Sequence, residues 1–265
     1  MSAAPVTKSP EHSQKWNLQK KLKAFLRPRT SERNEICKFI DVASARGDTY
    51  IVGGLLRDLH IHGSRNFNSD IDLVMDQVSP KAFDSWMGQL GGKENRFGGY
   101  SLNVGPAKFD LWLLERTWAR VAGYCDVRQP EDLHRTTFFD WDCILYSVTT
   151  GKIITEPGYF ERVRRRILDI RLAQNPNPLG NAVRALRYAC RYNADLSKPL
   201  VSHVVREIRD NGWQHLVRYE GRSFSSQYLE FMDGNHLYRR LVEHERSDEV
   251  HPFNVQKPPK QLGLY

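Results

Sequence analysis

One stretch, from Tyr50 to Asp76, restricts what this chain can fold into more than any other part of the sequence. It reads YIVGGLLRDLHIHGSRNFNSDIDLVMD and joins an apolar run, a glycine pair and two aspartates separated by one residue. The apolar, partly β-branched residues of DIDLV predict a strand, and side chains along a strand alternate between its two faces. The carboxylates of Asp70 and Asp72 are therefore expected on one face of a sheet, where oxygen-only ligands suit Mg²⁺ or Mn²⁺ rather than zinc.

The glycine pair upstream of these aspartates predicts an anion-binding turn. Gly53 and Gly54 follow an apolar run where a strand would end, and residues without Cβ permit a tight turn and close approach of backbone N–H groups to an anion. The following LLRDLHI is typical of a short helix whose N-terminus would point at that anion. Either pattern alone is common in ordinary turns and strands. Together, in this order, they indicate an enzyme that handles a nucleoside triphosphate.

A third carboxylate is expected beside the first two. Alternation resumes in YSLNVGPAKFDLWLLE, which predicts a two-stranded hairpin around Gly105 and Pro106. Asp110 lies in the second strand of this hairpin, within an otherwise apolar run where aspartate is a poor strand former. The alternative is a solvent-exposed strand residue, but the pattern favours a catalytic role for Asp110 next to Asp70 and Asp72.

Composition limits the class of protein and its partners. The chain of 265 residues is 40% hydrophobic and 26% charged, which is typical of a globular protein with one large domain or two small ones. Its formal charge of +8 favours a polyanionic partner such as RNA, the alternative being an ordinary basic protein. The cysteines form no CxxC pair, and no run of about 18 apolar residues could span a bilayer. We therefore expect a cytoplasmic protein without a membrane partner, and the oligomeric state stays open.

Changes in pattern along the chain predict four segments. Residues 1–30 form a basic extension that either docks on the body, binds nucleic acid or frays. Residues 31–172 form a domain of mixed strands and helices, in which a helix from Ser31 to about Ala45 precedes the glycine turn. Residues 173–253 form a smaller domain of helices, and residues 254–265 form a tail.

The same residues resemble a known family. GGLLRDLHIHG followed by DIDLV is similar to the GGxxRDxxxG and DxD signature of the nucleotidyltransferase head domain. That domain is shared by bacterial poly(A) polymerases and CCA-adding tRNA nucleotidyltransferases, within the polymerase-beta-like superfamily. KFDLW, TTFFDWDCILYSVTTGKII and NPLGNAVRALRYACRY resemble the next strand, the RRDFTINALAYN…GKII block and the neck helix of that family. The resemblance covers residues 48 to 192.

The resemblance implies an α+β fold, in which a small mixed or antiparallel sheet flanked by helices is followed by a smaller all-helical domain. It also implies two-metal nucleotidyl transfer, in which one Mg²⁺ or Mn²⁺ activates the acceptor hydroxyl and the other grips the triphosphate. Asp70, Asp72 and Asp110 would be the metal ligands and catalytic residues. The residues assigned to the NTP and its phosphates are Gly53, Gly54, Arg57, Ser64 and Arg65, while Asp58 would brace Arg57 or the turn.

Departures from the family pattern fall on the residues that read the base. Thr136, Thr137 and Phe138 stand where the family has Arg-Arg-Asp, and Asp142 replaces an Asn. The Glu-Asp-x-x-Arg group that pairs with CTP and ATP is absent, and only about 70 residues follow the neck-like helix. Candidate nucleotide contacts are therefore Asp140, Asp142, Asn177 and Asn181, together with Arg184 and Arg187.

The leading interpretation is a metal-dependent nucleotidyltransferase that adds NMP to an RNA 3′ end, with a tRNA-like acceptor and without the base-reading group of a standard CCA-adding enzyme. One alternative keeps the chemistry, ATP binding included, and transfers the nucleotide to a protein or a small molecule. Another is a nucleotide-binding module that has the fold without the catalysis.

Overall fold

The computed structural model describes residues 10–27, 30–63, 70–248 and 250–255. Contacts divide the chain into two compact units. The first runs to Thr137 and resumes with Trp141–Phe160, and the second comprises Phe138–Asp140 and the chain from Glu161 onward. The boundary falls within one helix, and the segment limits expected from the sequence stay predictions.

A mixed sheet forms the body of the first unit. Its helices are α1 (Pro10–Phe25), α2 (Ser31–Ser44), α3 (Gly54–His62), α4 (Pro80–Gln89) and α5 (Trp118–Val121), and the unit boundary falls within α6 (Tyr159–Arg165). Its strands are β1 (Asp48–Val52), β2 (Ile71–Asp76), β3 (Lys93–Glu94), β4 (Tyr100–Val104), β5 (Ala107–Leu113), β6 (Ile144–Ser147) and β7 (Ile153–Thr155). Among the described residues the sheet order is β3-β4-β5-β2-β1-β6-β7, and β2 and β5 run parallel whereas the other neighbours are antiparallel.

Local sequence explains where the helices of this unit begin. The side chain of Thr30 accepts a hydrogen bond from the N–H of Arg33 and caps α2. Ser79 caps α4 in the same way, and Pro80 fills the first helical position, where its missing N–H costs nothing. The helix predicted from Ser31 is therefore confirmed.

One face of the sheet is covered by α2 and α4. Phe39 of α2 packs edge-on against Phe109 of β5, with ring centroids 4.8 Å apart, and stacks on Trp86 of α4 at 5.8 Å. Ile51, Leu73 and Phe109 are fully buried. The intervening strand residues point to the opposite face, because side chains alternate along a strand.

The N-terminal helix α1 docks on the first unit, so the first of the three alternatives for this segment holds for its described residues. Leu18, Leu22 and Phe25 are buried. The ammonium of Lys21 donates to the carbonyl of His60 in α3 at 3.0 Å.

The second unit is mainly helical. Its elements are β8 (Ile167–Leu168), α7 (Pro178–Tyr192), β9 (Asp195–Leu196), α8 (Lys198–Asn211), α9 (Trp213–Ser223), α10 (Gly234–Arg246) and β10 (Phe253–Asn254). The two-residue strands form a small sheet in the order β10-β9-β8, which the sequence pattern did not predict. The predicted fold class, a mixed sheet flanked by helices and then a helical part, is confirmed. None of the helices in the described ranges is long and apolar enough to cross a membrane.

Candidate active site

The candidate site begins as a row of residues across four strands. Val52 of β1 lies opposite Asp72 of β2, Asp72 opposite Asp110 of β5, and Asp110 opposite Ser101 of β4. Asp70 immediately precedes β2 and shares the face of Asp72. We call Asp70, Asp72 and Asp110 the carboxylate cluster. The hairpin and the position of its aspartate beside the DIDLV strand, both predicted from alternation, are confirmed.

Asp72 has the most perturbed carboxyl group of the cluster. Burial raises the pKa of Asp72 to about 8, and the negative charges of Asp110, Asp70 and Asp142 add to the effect. The surroundings of Asp72 on the sheet are apolar: Val74 belongs to a buried hydrophobic cluster, and Val52 packs against that cluster. Several carboxyl groups that cannot all ionise without a cation form the electrostatic pattern of a metal or catalytic site.

Lys108 supplies a cation to the cluster, and sequence reasoning missed it. Its ammonium lies 2.5 Å from Oδ2 of Asp70 and 3.5 Å from Oδ2 of Asp110. Partial burial works to lower the pKa of Lys108, but the hydrogen bond to Asp70 and the charges of Asp110 and Asp70 outweigh it and raise the pKa above its ordinary value. Strand periodicity could have found Lys108, because it lies two residues before Asp110 on the same face.

The glycine turn joins this row directly, because Gly53 follows Val52. Gly53 has φ 62° and ψ −113°, a conformation that residues with a side chain rarely adopt. A Cβ at this position would meet Asp142 only at 3.6 Å, so the backbone angle and not crowding requires glycine. Gly53 has no side chain to cap α3, and the first N–H groups of a helix lack acceptors within it. The start of α3 at Gly54 is therefore suited to an anion.

A buried ion-pair network supports the turn from within the unit. The guanidinium of Arg57 donates to Oδ1 of Asp58, at 2.9 Å from Nε and 2.7 Å from Nη2, and to Oδ1 of Asp142. Arg57 and Asp58 are almost fully buried. Asp58 therefore has the bracing position expected for it. Arg57 reaches Asp142 across 85 positions of sequence, a contact that no local pattern reports.

Ser64 and Arg65, which we assigned to the same phosphate site, lie outside the described residues.

The remaining candidates lie in the second unit. Oδ1 of Asp140 accepts from the N–H of Asp169 at 3.0 Å, and Oδ2 lies 3.6 Å from Nε of Arg162. Asn177 caps α7 by accepting from the N–H of Gly180 at 3.2 Å, and its amide nitrogen lies 2.7 Å from the hydroxyl of Tyr219. These side chains therefore have structural partners of their own.

Asn181, Arg184 and Arg187 follow along α7. The side-chain oxygen of Asn181 accepts from Arg184, while its buried amide nitrogen has no partner within the described part of the chain. Arg187 is buried and donates to Oε1 of Glu220 at 2.7 Å, and its guanidinium lies 3.9 Å from the ring centre of Phe224. Arg187 thus ties α7 to α9, and its partner Glu220 lies too far along the sequence to have been predicted.

The donor chemistry of the carboxylate cluster fits Mg²⁺ or Mn²⁺, since all its ligands are carboxylate oxygens. The ammonium of Lys108 lies between Asp70 and Asp110, where a divalent metal ion would be expected. As the side chains lie, no three His, Cys, Asp or Glu groups of the described ranges are arranged to hold a metal. Binding of one metal by all three carboxylates would therefore require the side chains to rearrange.

Comparison with solved structures identifies the fold. A CCA-adding enzyme in complex with ATP superposes with a TM-score of 0.54 at 15% identity, over 87% of this chain and 53% of that chain. A CCA-adding enzyme with CTP gives 0.53 at 16% identity, with coverage of 87% and 53%. A tRNA-processing enzyme with CTP gives 0.50 at 18% identity, with coverage of 79% and 57%. The chain shares the fold of these CCA-adding and tRNA-processing enzymes over the parts that superpose.

This shared fold confirms the fold that the sequence motifs implied. The chain spans only between 53% and 57% of the length of these three structures. No protein-family model and no curated protein matches the sequence. The row from Val52 to Ser101, the glycine turn and the buried Arg57 network all lie in the first unit.

Proposed function

We propose that this protein is a metal-dependent nucleotidyltransferase that moves NMP from an NTP to the 3′ hydroxyl of a tRNA-like RNA. The observation that carries the proposal is the carboxylate cluster on adjoining strands, directly beside the glycine turn that opens α3, within a nucleotidyltransferase fold. Complexes of similar structures with ATP and CTP support an NTP as the donor. Their names, CCA-adding and tRNA-processing enzymes, support a tRNA-like acceptor.

In this proposal Asp70, Asp72 and Asp110 hold one or two Mg²⁺ or Mn²⁺ ions. A bound divalent ion would act as a Lewis acid on the triphosphate and lower the pKa of the acceptor hydroxyl. Ser101 fixes the orientation of Asp110, because its hydroxyl donates to Oδ1 of that carboxylate. The 3′ oxygen forms a bond to the α-phosphorus while the bond to pyrophosphate breaks, and the hydroxyl proton passes to water.

The glycine turn takes the triphosphate. Backbone N–H groups at Gly54 and in the first turn of α3 face the phosphate oxygens, with the favourable end of the helix dipole behind them. Arg57 acts in two ways in this account. It holds Asp142 and Asp58 beneath the turn, and its positive charge offsets part of the triphosphate charge from a distance. Ser64 and Arg65, which the sequence assigns to the phosphates, are part of the proposal by that resemblance alone.

The candidate base contacts are Asp142 within the first unit and, within the second unit, residues at the start of α7. Asn177 and Asn181 belong to the segment that stands in place of the Glu-Asp-x-x-Arg base readers of CCA-adding enzymes, while Arg184 is retained, so the preference for CTP and then ATP is not expected. The unpartnered amide nitrogen of buried Asn181 gives the helix a hydrogen-bond donor to spare. We therefore propose a transferase distinct from standard CCA-adding enzymes. Arg187 is proposed to act indirectly, by fixing α7 against α9.

The direct test is incubation of the pure protein with each of the four α-labelled NTPs, Mg²⁺ and total RNA. Label is expected in RNA of tRNA size, from a subset of the four NTPs, and only on RNA with an intact 3′ hydroxyl. RNA whose 3′ end has been oxidised with periodate is the control and should accept nothing. Label that appears instead on protein or in a small product would assign a different acceptor. NTP binding without transfer to any acceptor would indicate the binding module.

A further inference from the structure

Lys108 lies at the centre of the carboxylate cluster and has no place in the function proposed above. It precedes Asp110 by two residues on β5, so both side chains leave the sheet on the same face. Its ammonium bridges Asp70 and Asp110, which belong to different strands brought together by the parallel pairing of β2 and β5. One cation therefore neutralises two of the three carboxylates.

Lys108 and Ser101 together engage carboxylate oxygens of Asp70 and Asp110 that a metal would otherwise bind. Oδ1 of Asp110 accepts from the hydroxyl of Ser101, and Oδ2 faces Lys108. Oδ2 of Asp70 is bound by Lys108 as well. With these contacts in place, no three acidic, His or Cys side chains in the described ranges are arranged to hold a metal.

We infer that Lys108 is an internal counterion of the carboxylate cluster, which a divalent metal must displace in order to bind. This inference rests on the proposed function, since it concerns the same metal site. When the binding-competent state is only a fraction of the population, apparent affinity falls by that fraction. Lys108 therefore weakens metal binding. In the absence of a metal, it also reduces the repulsion among the three carboxylates.

The lysine is placed so that the exchange is possible. Side chains of Lys108 and Asp70 are each 46% exposed, so the ammonium can swing into water on its flexible stem. Breaking an exposed ion pair changes an equilibrium constant by at most about fivefold. Removal of Lys108 also restores the repulsion among the three carboxylates, which adds to the cost of releasing it. The barrier to metal entry is therefore modest.

The test is Mn²⁺ binding, measured from the electron paramagnetic resonance signal of free Mn²⁺ without NTP or RNA. Lys108→Met keeps the stem and removes the charge, and it should bind Mn²⁺ about fivefold more tightly than the unmodified protein. Lys108→Arg keeps the charge and should not gain affinity. Lys81→Met, an exposed lysine on α4, is the matched control and should change nothing.

Thermal unfolding gives a second, independent readout. In chelator, Lys108→Met should unfold at a lower temperature than the unmodified protein, and added Mn²⁺ should raise its melting temperature by the larger amount. If that variant does not fold in chelator, Lys108→Gln, which keeps a donor without the charge, carries the same comparison.

Unchanged or weaker Mn²⁺ binding in Lys108→Met, beside binding that Asp70→Asn/Asp72→Asn abolishes, would overturn the inference and leave the metal site intact. A gain in Lys108→Arg equal to that in Lys108→Met would overturn it too, because the charge would not be the cause. No Mn²⁺ binding in any variant would overturn the metal site and this inference together.

Discussion

Single side chains of the first unit carry charges that the fold alone would not favour. Asp72 is held among Asp70, Asp110 and Asp142, and burial with these neighbours raises its pKa to about 8. Such crowding costs stability and is kept where a function uses it. We attribute this cost in stability to the proposed metal site.

Replacing the most crowded carboxylate should separate stability from activity. Asp72→Asn, measured in chelator at pH 7, is expected to raise the free energy of unfolding by at least about 1 kcal/mol, because Asn keeps the shape and does not have to take up a proton when the chain folds. Nucleotidyl transfer should fall at least about 100-fold, because a metal ligand is lost. Urea unfolding and a transfer assay check the two effects. Exposed Asp41 on α2 gives the control, Asp41→Asn, which should alter neither.

His60 predicts a pH dependence of stability. Burial, and then the charge of Lys21, lower the pKa of His60 from 6.5 to about 4. Between these pH values the unfolded chain binds a proton that the folded protein does not. Stability should therefore be complete above pH 6.5 and decline as the pH falls toward 4, by up to about 3 kcal/mol.

Comparison of urea unfolding curves from pH 4 to 7 isolates this contribution. His60→Gln should be less pH-dependent than the unmodified protein, whereas His215→Gln, at an exposed position on α9, should follow the unmodified curve. Identical pH dependence in His60→Gln would show that folding does not lower the pKa of His60.

Among the secondary-structure elements, the local sequence pattern was sufficient to predict the strands of the site. The contacts between those strands depend on tertiary pairing and could not be predicted in this way. Period-two alternation predicted the hairpin of β4 and β5 and the common face of Asp70 and Asp72. The contact of Lys108 with Asp70 spans 38 positions and exists only through the parallel register of β2 and β5. The two-residue strands β8, β9 and β10 are too short to show any period. Family resemblance supplied the order of the motifs, but not these contacts.

Replacement by alanine should have opposite effects on stability at Gly53, in the turn between β1 and α3, and at Gly88, within α4. Gly53→Ala should destabilise the protein by about 1–3 kcal/mol, because its φ of 62° strains any residue with a side chain. Gly88→Ala should stabilise by about 0.5–1 kcal/mol, because it lies in α4 with no atom near an added Cβ. Thermal and urea unfolding measure both. Equal effects at the two positions would contradict the strained turn.

The buried pair of Arg187 and Glu220 predicts a strong dependence of the second unit on one carboxylate. Both oxygens of Glu220 are engaged, Oε1 by Arg187 and Oε2 by the N–H groups of Tyr228 and Leu229. Glu220→Gln leaves a buried guanidinium without its counterion and should cost about 3 kcal/mol in urea unfolding. Glu161→Gln, which removes an exposed partner of Arg164 and Arg165, should have little effect and is the control.

For the whole molecule, the residues proposed for catalysis lie in the first unit, and the proposed base contacts of α7 lie in the second. The formal charge of +8 suits an RNA acceptor, whose binding should weaken steeply with salt. Neither the composition nor any motif identifies the nucleotide, because other residues stand where CCA-adding enzymes have their base-reading group. Asn177, in their place, is engaged as a helix cap.

Transfer of α-labelled NMP to RNA by carboxylate variants tests the central claim most directly. The unmodified protein with Mg²⁺ should label RNA at its 3′ end and release pyrophosphate. Asp70→Asn/Asp72→Asn should lose at least about 1,000-fold in rate while folding normally, and chelator should abolish the reaction in the unmodified protein. Transfer that persists in the double variant, or that proceeds in chelator, would contradict the assignment of the carboxylate cluster as the catalytic metal site.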